Sequence, residues 1–176
     1  MTGKDFMRAL ANGRTDLVQR LLDILAETKA SYCVIGGLAV NAYADPVVSL
    51  DLDLVVVADG VAAVLRAAEG RGMTVETFEH SVNLSASGSD LRVQLQSDPR
   101  YQAFLPRAAE HEVLGYRLRV AAIEDVLQGK LWAYSDSTRR KSKRQKDLAD
   151  ISRLVEADPT LEQALPEAVR RALNRD

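Results

Sequence analysis

Residues 34–41 are Val-Ile-Gly-Gly-Leu-Ala-Val-Asn, and residues 49–54 are Ser-Leu-Asp-Leu-Asp-Leu. These two neighbouring segments carry the clearest structural signals of the chain. The apolar run that ends at the two glycines predicts a short buried strand and a turn. Residues 38–44 then form a short predicted helix that stops before Pro46, because the residue before a proline is disfavoured in the helical region. The second segment alternates and passes into a β-branched run, which predicts a second strand at 50–57.

The acidic residues of the second segment, Asp51 and Asp53, alternate with leucines. On a strand they point to the same face, with their Cα atoms roughly 7 Å apart. Two carboxylates this close repel each other and raise each other's pKa unless a cation lies between them. Because Mg²⁺ prefers oxygen ligands and also binds phosphate groups, the pair predicts a magnesium site. The alternative is a solvent-facing strand edge with two incidental aspartates.

Gly36 and Gly37 lie where the first strand turns into the short helix. Without Cβ atoms they let a phosphate approach the backbone, and the N–H groups at a helix start bind anions. The alternative is an ordinary tight turn. A phosphate-binding turn beside a metal-binding pair is what phosphoryl or nucleotidyl transfer requires.

Outside these segments, helices and strands are mixed at first and helices dominate the last third. Periodicity predicts helices at 15–29, 61–69, 100–110, 123–135, 138–156 and 166–174, and strands at 32–35, 74–79, 82–86, 91–96 and 113–121. Thr15 is the predicted N-cap of the first helix. This order predicts an α+β fold in which helices flank a mixed β-sheet. We expect a single domain, with residues 1–122 as an α/β core that includes the N-terminal helix and residues 123–176 as a helical segment packed on it.

The composition excludes several protein classes. The chain has 176 residues, of which 47% are hydrophobic and 27% charged, and its net charge is −2. These values are typical of a globular protein and exclude disorder as the main state. No apolar run reaches the ~20 residues that a membrane span needs, and the single cysteine excludes an internal disulfide framework. We expect a cytoplasmic protein with no membrane partner.

The two long C-terminal helices carry further candidate residues. Lys130 falls within an apolar stripe, where a lysine is costly unless it meets an anion or extends its stem to solvent. The next helix carries four charged residues on one strip, namely Arg139, Lys143, Lys146 and Asp150. The basic run at 139–146 suits a triphosphate or an RNA backbone. The alternative is a solvated helix face.

Several of these segments together form a pattern that resembles a known family. The pattern consists of Gly-Gly-Leu-Ala-Val-Asn at 36–41, Pro46, Ser49-x-Asp-x-Asp, Lys130-Leu-Trp-Ala, Arg139-Arg and Lys146-Asp-Leu-Ala-Asp-Ile151. It resembles the signature of nucleotidyltransferase-fold proteins, and among them the AbiEii/AbiGii toxin-like group. The resemblance covers about residues 30–155.

This resemblance implies an activity and a set of site residues. The paired acids Asp51 and Asp53 are implied to hold Mg²⁺ (or Mn²⁺) and, with Lys130 and Asp150, to form the catalytic group. Nucleotide binding is assigned to Gly36, Gly37, Ser49, Arg139, Lys143 and Lys146. The implied reaction transfers a nucleoside monophosphate from a nucleoside triphosphate to a hydroxyl of RNA, a protein or a small molecule. The implied setting is a toxin–antitoxin or defence system, with a cognate antitoxin as partner.

The chain departs from the family pattern at three points. Val47 stands where the family often has arginine, and Ser49 where it has threonine. Active members of the wider superfamily usually place a third carboxylate on a later strand, whereas the polar face of that strand here offers Arg92, Gln94 and Gln96. Activation of the acceptor hydroxyl therefore requires an acid from another segment, for which Asp150 and Glu79 are the candidates. The alternative function is a catalytically inactive protein of this fold that binds a nucleotide or a partner.

Overall fold

The computed structural model of the chain describes residues 3–10, 12 and 16–174. Its helices are α1 (Gly3–Leu10), α2 (Leu17–Thr28), α3 (Gly36–Val40), α4 (Val61–Gly70), α5 (Ile123–Ser135), α6 (Lys141–Ala157) and α7 (Glu167–Leu173). Its strands are β1 (Tyr32–Ile35), β2 (Asp51–Val56), β3 (Thr74–Thr77), β4 (Ser81–Ser85), β5 (Arg92–Gln96), β6 (Ala109–Val113) and β7 (Tyr116–Val120). Short 3₁₀ helices cover Ala58–Gly60, Pro99–Arg107 and Pro159–Ala164.

The strands form one mixed sheet in the order β3-β4-β5-β2-β1-β7-β6. Strand β2 lies at the centre, antiparallel to β1 and parallel to β5, and β1 is parallel to β7. Antiparallel hairpins complete the two edges, β3–β4 on one side and β6–β7 on the other. The predicted α+β class, a mixed sheet flanked by helices with a helical C-terminal third, is confirmed.

Three predicted elements differ from the structure. The helix predicted at 38–44 is α3, which begins at Gly36 and ends at Val40, and residues 41–43 continue as turns. The helix predicted at 100–110 is a 3₁₀ helix that ends just after Pro106, since a proline cannot donate the backbone hydrogen bond that continues a helix. The single strand predicted at 113–121 belongs to a hairpin, β6–β7, whose turn contains Leu114 and Gly115 at positive φ. A glycine at a positive φ is a turn signal, and in this chain it reverses the strand instead of bending it.

The start of the chain contains one helix that the sequence patterns did not predict, α1. The predicted N-cap of α2, Thr15, lies outside the described residues. In the structure the side chain of Asp16 accepts a hydrogen bond of 3.0 Å from the backbone N–H of Gln19 and so caps α2. The helix ends before Lys29, which adopts the left-handed conformation. The predicted helix at 15–29 is therefore confirmed in position.

The alternation of β2 separates the core from the polar face that carries the site. Leu52 and Leu54 are buried, whereas Asp51 and Asp53 are partly exposed on the opposite face. Helices α3, α5 and α6 pack against one another, and residues of α5 and α6 lie across a cavity from the two aspartates. The sheet is therefore the floor of the site and the helices are its wall.

Within the described ranges, none of the helices combines the length and the apolar character of a membrane-spanning segment.

The boundary between a core at 1–122 and a C-terminal segment at 123–176 stays a prediction. What the structure adds is that α5 and α6 also pack against α3, which follows β1 directly. The C-terminal helices are thus part of the same cleft as the glycines.

Candidate functional site

A cationic cleft lies between the polar face of β2 and β5 and the helices α5 and α6. Its main cavity has a volume of about 250 Å³. The acidic side chains that line it are Asp51, Asp53 and Asp147, and the cationic ones are Arg92, Lys130, Arg139, Lys143 and Lys146. An adjoining cavity of about 100 Å³ shares five lining residues with the main one, namely Asp53, Gln94, Lys130, Arg139 and Asp147. The two cavities therefore form one cleft.

Asp53 lines both cavities, as Asp147 also does. Within the part of the chain that the structure describes, it forms neither a hydrogen bond nor an ion pair. Burial raises the pKa of Asp53 to about 6, the Lys130 ammonium opposes this rise, and the Asp51 carboxylate adds to it. Its negative charge is therefore costly in the free protein and would be stabilised by a bound cation.

Asp51 differs from Asp53 because both of its oxygens contact cations. Oδ1 lies 2.9 Å from a terminal nitrogen of Arg92, and Oδ2 lies 3.4 Å from Nζ of Lys143. Arg92 is directly opposite Asp51 in the pairing of β2 with β5, whereas Lys143 extends from α6. The hydroxyl of Ser49 accepts a hydrogen bond of 3.2 Å from the Asp51 backbone N–H. Ser49 thus orients the first residue of β2.

The two glycines have different surroundings. Gly36 has φ +71°, and a Cβ atom added to it would lie 2.2 Å from Oδ2 of Asp53. The space left by its missing side chain is therefore taken by the Asp53 carboxylate. A Cβ on Gly37 would lie 3.8 Å from Oγ of Ser49 and 4.0 Å from Oδ2 of Asp150, which are ordinary contacts. Only Gly37 faces the main cavity.

This difference predicts unequal effects of alanine at the two glycines. Gly36→Ala is expected to lower the free energy of unfolding by about 2–4 kcal/mol, because the left-handed backbone is strained for alanine and the methyl group collides with Asp53. Gly37→Ala is the matched control and is expected to change it by less than about 1 kcal/mol. Urea denaturation of both variants measures the two losses. Equal losses would show that Gly36 has no special role.

Lys130 is buried between two carboxylates of α6. Its side chain is only 9% exposed, and Nζ lies 3.0 Å from Asp147 and 2.7 Å from Asp150. Arg139 donates a hydrogen bond of 2.7 Å to the other oxygen of Asp147, and Arg153 donates one of 2.8 Å to the other oxygen of Asp150. The anions that a buried lysine requires are therefore supplied by the protein itself.

The same network joins α6 to the segment that follows α3. Arg153 donates a hydrogen bond of 2.8 Å to the side-chain oxygen of Asn41 and another to the backbone carbonyl of Asp45. Asn41 also pairs through its amide with the backbone of Val47. These bonds hold the helical wall against the loop that leads into β2, and so they fix the width of the cleft.

Asp147 is a residue of the site that the sequence reasoning missed. Its side chain is 2% exposed, lines the main cavity and pairs with two cations. The signal was present in Lys146-Asp-Leu-Ala-Asp, where Asp147 precedes Asp150 by one helical turn and therefore shares its face. Only the second of these two acids was assigned to the site.

The structure brings all six predicted nucleotide-binding residues into the cleft. The two cavities are lined by Gly36, Gly37, Ser49, Arg139, Lys143 and Lys146. Asp150 lines neither cavity and instead contacts Lys130. Helix α6 begins at Lys141, so Arg139 lies before the helix and not on its strip. Its side chain lies in the cleft, where it forms an ion pair with Asp147 of α6.

Amide side chains occupy the face of the sheet on which a third carboxylate would be expected. Gln94 on β5 is paired in register with Asp53, and Asn83 on β4 is paired with Gln94. Glu79, another candidate acid, lies in the exposed β3–β4 turn. Among the described residues there is no group of three or more Asp, Glu, His or Cys side chains that could hold a metal.

The donors that are present fit one hard divalent cation. Asp53 has a free carboxylate, Asp51 lies on the same face, and the side-chain oxygen of Asn83 is buried without a hydrogen-bond partner. Mg²⁺ keeps several waters and is commonly bound by one or two carboxylates together with substrate phosphates. Two carboxylates and neighbouring amides therefore meet the requirement for one ion that arrives with a phosphate ligand.

Comparison with known proteins identifies the fold. No protein-family model matches the chain, and no curated protein sequence matches it. The chain is similar in structure to ANT(2'')-Ia in complex with adenylyl-2''-tobramycin, at 18% identity over 89% of this chain and 94% of that one, with a TM-score of 0.67. It is also similar to the lincosamide antibiotic adenylyltransferase LnuA bound to lincomycin, at 12% identity over 81% and 98% of the chains and a TM-score of 0.56.

A third similar structure is an antigenic nucleotidyltransferase-like protein from Paracoccidioides brasiliensis, at 16% identity over 93% of each chain and a TM-score of 0.52. At identities of 12–18% these likenesses establish the fold alone. The chain has the nucleotidyltransferase fold, as the sequence pattern predicted. The narrower resemblance to the AbiEii/AbiGii group stays a prediction.

Proposed function

We propose that this chain is an Mg²⁺-dependent nucleotidyltransferase, which transfers a nucleoside monophosphate from a nucleoside triphosphate to a hydroxyl group. The observation that carries the proposal is the free, partly buried carboxylate of Asp53 beside Asp51 on the floor of the cleft. Carboxylates whose pKa is raised by burial cluster at functional sites. The nucleotidyltransferase fold supports the same reaction class by analogy.

The charge of the main cavity supports a polyphosphate as its ligand. Five cationic and three acidic side chains line it, which leaves two positive charges in excess. A triphosphate with one bound Mg²⁺ keeps a net negative charge, so its charge complements that of the cavity. Lys143 and Lys146 extend into the cleft from α6 without the deep burial of Lys130. They are therefore able to turn toward a phosphate.

Each group of residues has a role in this proposal. Asp51 and Asp53 would hold Mg²⁺, which when bound neutralises charge on the phosphates during transfer. Arg139, Lys143 and Lys146 bind the phosphate oxygens, and Gly37 leaves room for them near the backbone. Lys130 keeps Asp147 and Asp150 in place and presents positive charge to Asp53. The reaction forms a bond between the acceptor oxygen and the α-phosphorus and breaks the bond from the α-phosphorus to the oxygen that bridges to the β-phosphorus. Pyrophosphate is released, and the proton of the acceptor hydroxyl passes to solvent water.

The acceptor is proposed from the comparisons and from the family resemblance. LnuA is an adenylyltransferase for lincosamide antibiotics, and ANT(2'')-Ia is found with an adenylylated tobramycin. These proteins favour a small hydroxyl compound, whereas the basic run before and within α6 favours RNA, and a protein hydroxyl is the third option. A toxin–antitoxin or defence role, with an antitoxin as partner, rests on the family resemblance alone.

A second candidate function is a catalytically inactive protein that binds a nucleotide or a partner. It is favoured by the register of β2 and β5, which places Gln94 beside Asp53. An amide can ligate a cation but cannot accept the proton of the acceptor hydroxyl at neutral pH. The two candidates share nucleotide binding and differ in turnover.

A screen of radiolabelled nucleoside triphosphates against total RNA, protein and small hydroxyl compounds tests the proposal. The wild-type chain is expected to label an acceptor when Mg²⁺ is present, and Asp51→Asn is expected to lower labelling at least ~100-fold. Asp90→Asn is the matched control, because Asp90 is exposed and lies outside both cavities. It is expected to label as the wild type does.

The possible outcomes separate the two candidates. If Asp51→Asn labels as well as the wild type, Asp51 does not hold the metal. If the chain binds Mg²⁺ and nucleotide but labels no acceptor, the inactive candidate is supported. If neither Mg²⁺ nor Mn²⁺ brings about any nucleotide binding, both candidates are wrong.

A further inference from the structure

The register between β2 and β5 pairs both aspartates of β2 with residues that are not acidic. Asp51 is directly opposite Arg92, and Asp53 is directly opposite Gln94. The next strand continues this pattern, because Asn83 is opposite Gln94. Since residues opposite each other in paired strands project from the same face, these side chains form one polar surface at the floor of the cleft.

The charge on this surface limits the number of cations that it can hold. The two carboxylates contribute two negative charges, and Arg92, which is 2.9 Å from Asp51, cancels one of them. Two-metal sites hold their ions about 3.5–4 Å apart and use their ligands to offset four positive charges. Here the strand beside Asp53 supplies only the neutral amide of Gln94. The surface therefore has ligands and charge for one divalent cation and not for two.

We infer that this site binds a single divalent cation together with the nucleotide, and that Arg92 supplies the positive charge of a second cation by contacting the polyphosphate. This inference rests on the proposed nucleotide binding and goes further, because it assigns the metal stoichiometry and a role for Arg92. Arg92 lies beside Asp51 on β5, the strand whose polar face carries no acid.

Arg92 has the properties that this role needs. Its side chain is 68% exposed, so it can turn from Asp51 to a ligand without breaking a packed core. A guanidinium offers a planar set of donors that matches two phosphate oxygens. A cation bound to Asp51 would weaken the attraction between that carboxylate and Arg92. Binding of the cation and movement of Arg92 to the phosphates therefore favour each other.

The number of metal ions per chain is measured with Mn²⁺ and a non-hydrolysable nucleotide. The nucleotides are the α,β-methylene analogues of ATP, GTP, CTP and UTP, each used in turn. Bound Mn²⁺ is counted by equilibrium dialysis, and electron paramagnetic resonance detects the coupling between two close Mn²⁺ ions. The wild type is expected to bind one Mn²⁺ per chain with the nucleotide and to show no coupling. Gln94→Asp, which restores an acid beside Asp53, is expected to bind two coupled ions. Gln94→Asn is its neutral control and is expected to bind one.

Substitution of Arg92 tests the second half of the inference. At saturating Mn²⁺, Arg92→Gln is expected to weaken the affinity for the nucleotide analogue about tenfold while the chain still binds one Mn²⁺. Arg92→Lys keeps the charge but not the planar donors, and it is expected to recover part of the loss. These are binding measurements, so they do not depend on whether an acceptor is known.

The failures are distinguishable. Two coupled Mn²⁺ ions in the wild type would overturn the single-cation inference and leave the proposed function standing. An undiminished affinity in Arg92→Gln would overturn the role of Arg92. If none of the four analogues binds with Mn²⁺, the proposed function and this inference are both wrong.

Discussion

Replacing Asp53 with asparagine is expected to abolish nucleotidyl transfer and at the same time to stabilise the protein. Transfer should fall by a factor of at least ~1,000, because the variant loses the free carboxylate that meets both cavities. Stability at pH 7 should rise by about 1–3 kcal/mol, since burial raises the pKa of Asp53 to about 6 and ionisation at neutral pH is therefore unfavourable. Asparagine has the same shape and no charge to desolvate.

The pH dependence of this effect has a definite sign. Between an unfolded pKa of about 3.9 and the folded pKa of about 6, the native state binds more protons than the unfolded state. The wild type therefore loses stability relative to Asp53→Asn as the pH rises through this window. Thermal unfolding from pH 4 to pH 7 measures the difference in stability between Asp53→Asn and the wild type. This difference should increase with pH and stay constant above about pH 7.

Asp51→Asn is the matched control for stability. Its carboxylate already pairs with Arg92 and Lys143, so its removal is expected to give no stabilisation. An Asp53→Asn variant that is less stable than the wild type at pH 7 would show that the carboxylate is well solvated or paired. A variant that retains transfer would remove Asp53 from the site.

Lys130→Met is expected to cause the largest loss of stability among single substitutions of charged residues in the cleft. The ammonium group lies between Asp147 and Asp150, and all three side chains are at least nine-tenths buried. Removing one member of a buried ion pair leaves uncompensated charge and costs about 3–5 kcal/mol. Because Arg139 and Arg153 still pair with the two carboxylates, we expect about 3 kcal/mol, measured by urea denaturation.

Two further variants separate the structural role of Lys130 from its effect on a ligand. Lys143→Met removes a cation that is 37% exposed and 3.4 Å from Asp51, so it should cost less than about 1 kcal/mol while still weakening polyphosphate binding. The double variant Lys130→Met with Asp150→Asn should recover part of the lost stability, because one unpaired carboxylate has been neutralised. A Lys130→Met variant as stable as Lys143→Met would show that the buried network contributes little.

The strand and turn pattern at the centre of the fold could be predicted because it is local. Alternation at 50–57 and the pair of glycines after an apolar run depend only on neighbouring residues. The same alternation placed Asp51 and Asp53 on one face, opposite the buried Leu52 and Leu54. Predictions of this kind hold because backbone geometry alone sets which side chains share a face of a strand.

The parts that could not be predicted depend on contacts between distant segments. The role of Gly36 follows from its φ and from the carboxylate of Asp53, which the pairing of β1 with β2 brings beside it. The pairing of Arg92 with Asp51 depends on the register of two strands that are far apart in the sequence. Spacing within one segment carries no information about such registers.

The sequence pattern around Lys130 predicted that it needs a partner but did not identify that partner. A lysine in an apolar stripe does need an anion, and the sequence offered both a ligand phosphate and solvent as explanations. The structure supplies Asp147 and Asp150 from the next helix, where they face α5. Which helix faces which could be decided only by the packing of α5 against α6.

In the proposed function, Asp51, Asp53 and the surrounding cations bind a nucleoside triphosphate through a divalent cation. Calorimetric titration of the four nucleoside triphosphates, with Mg²⁺ and then with EDTA, measures this binding. We expect at least one nucleotide to bind with Mg²⁺, EDTA to weaken its affinity at least ~100-fold, and Asp53→Asn to do the same. Binding of equal strength with EDTA, or no binding of any nucleotide by the folded protein, would contradict the proposed function.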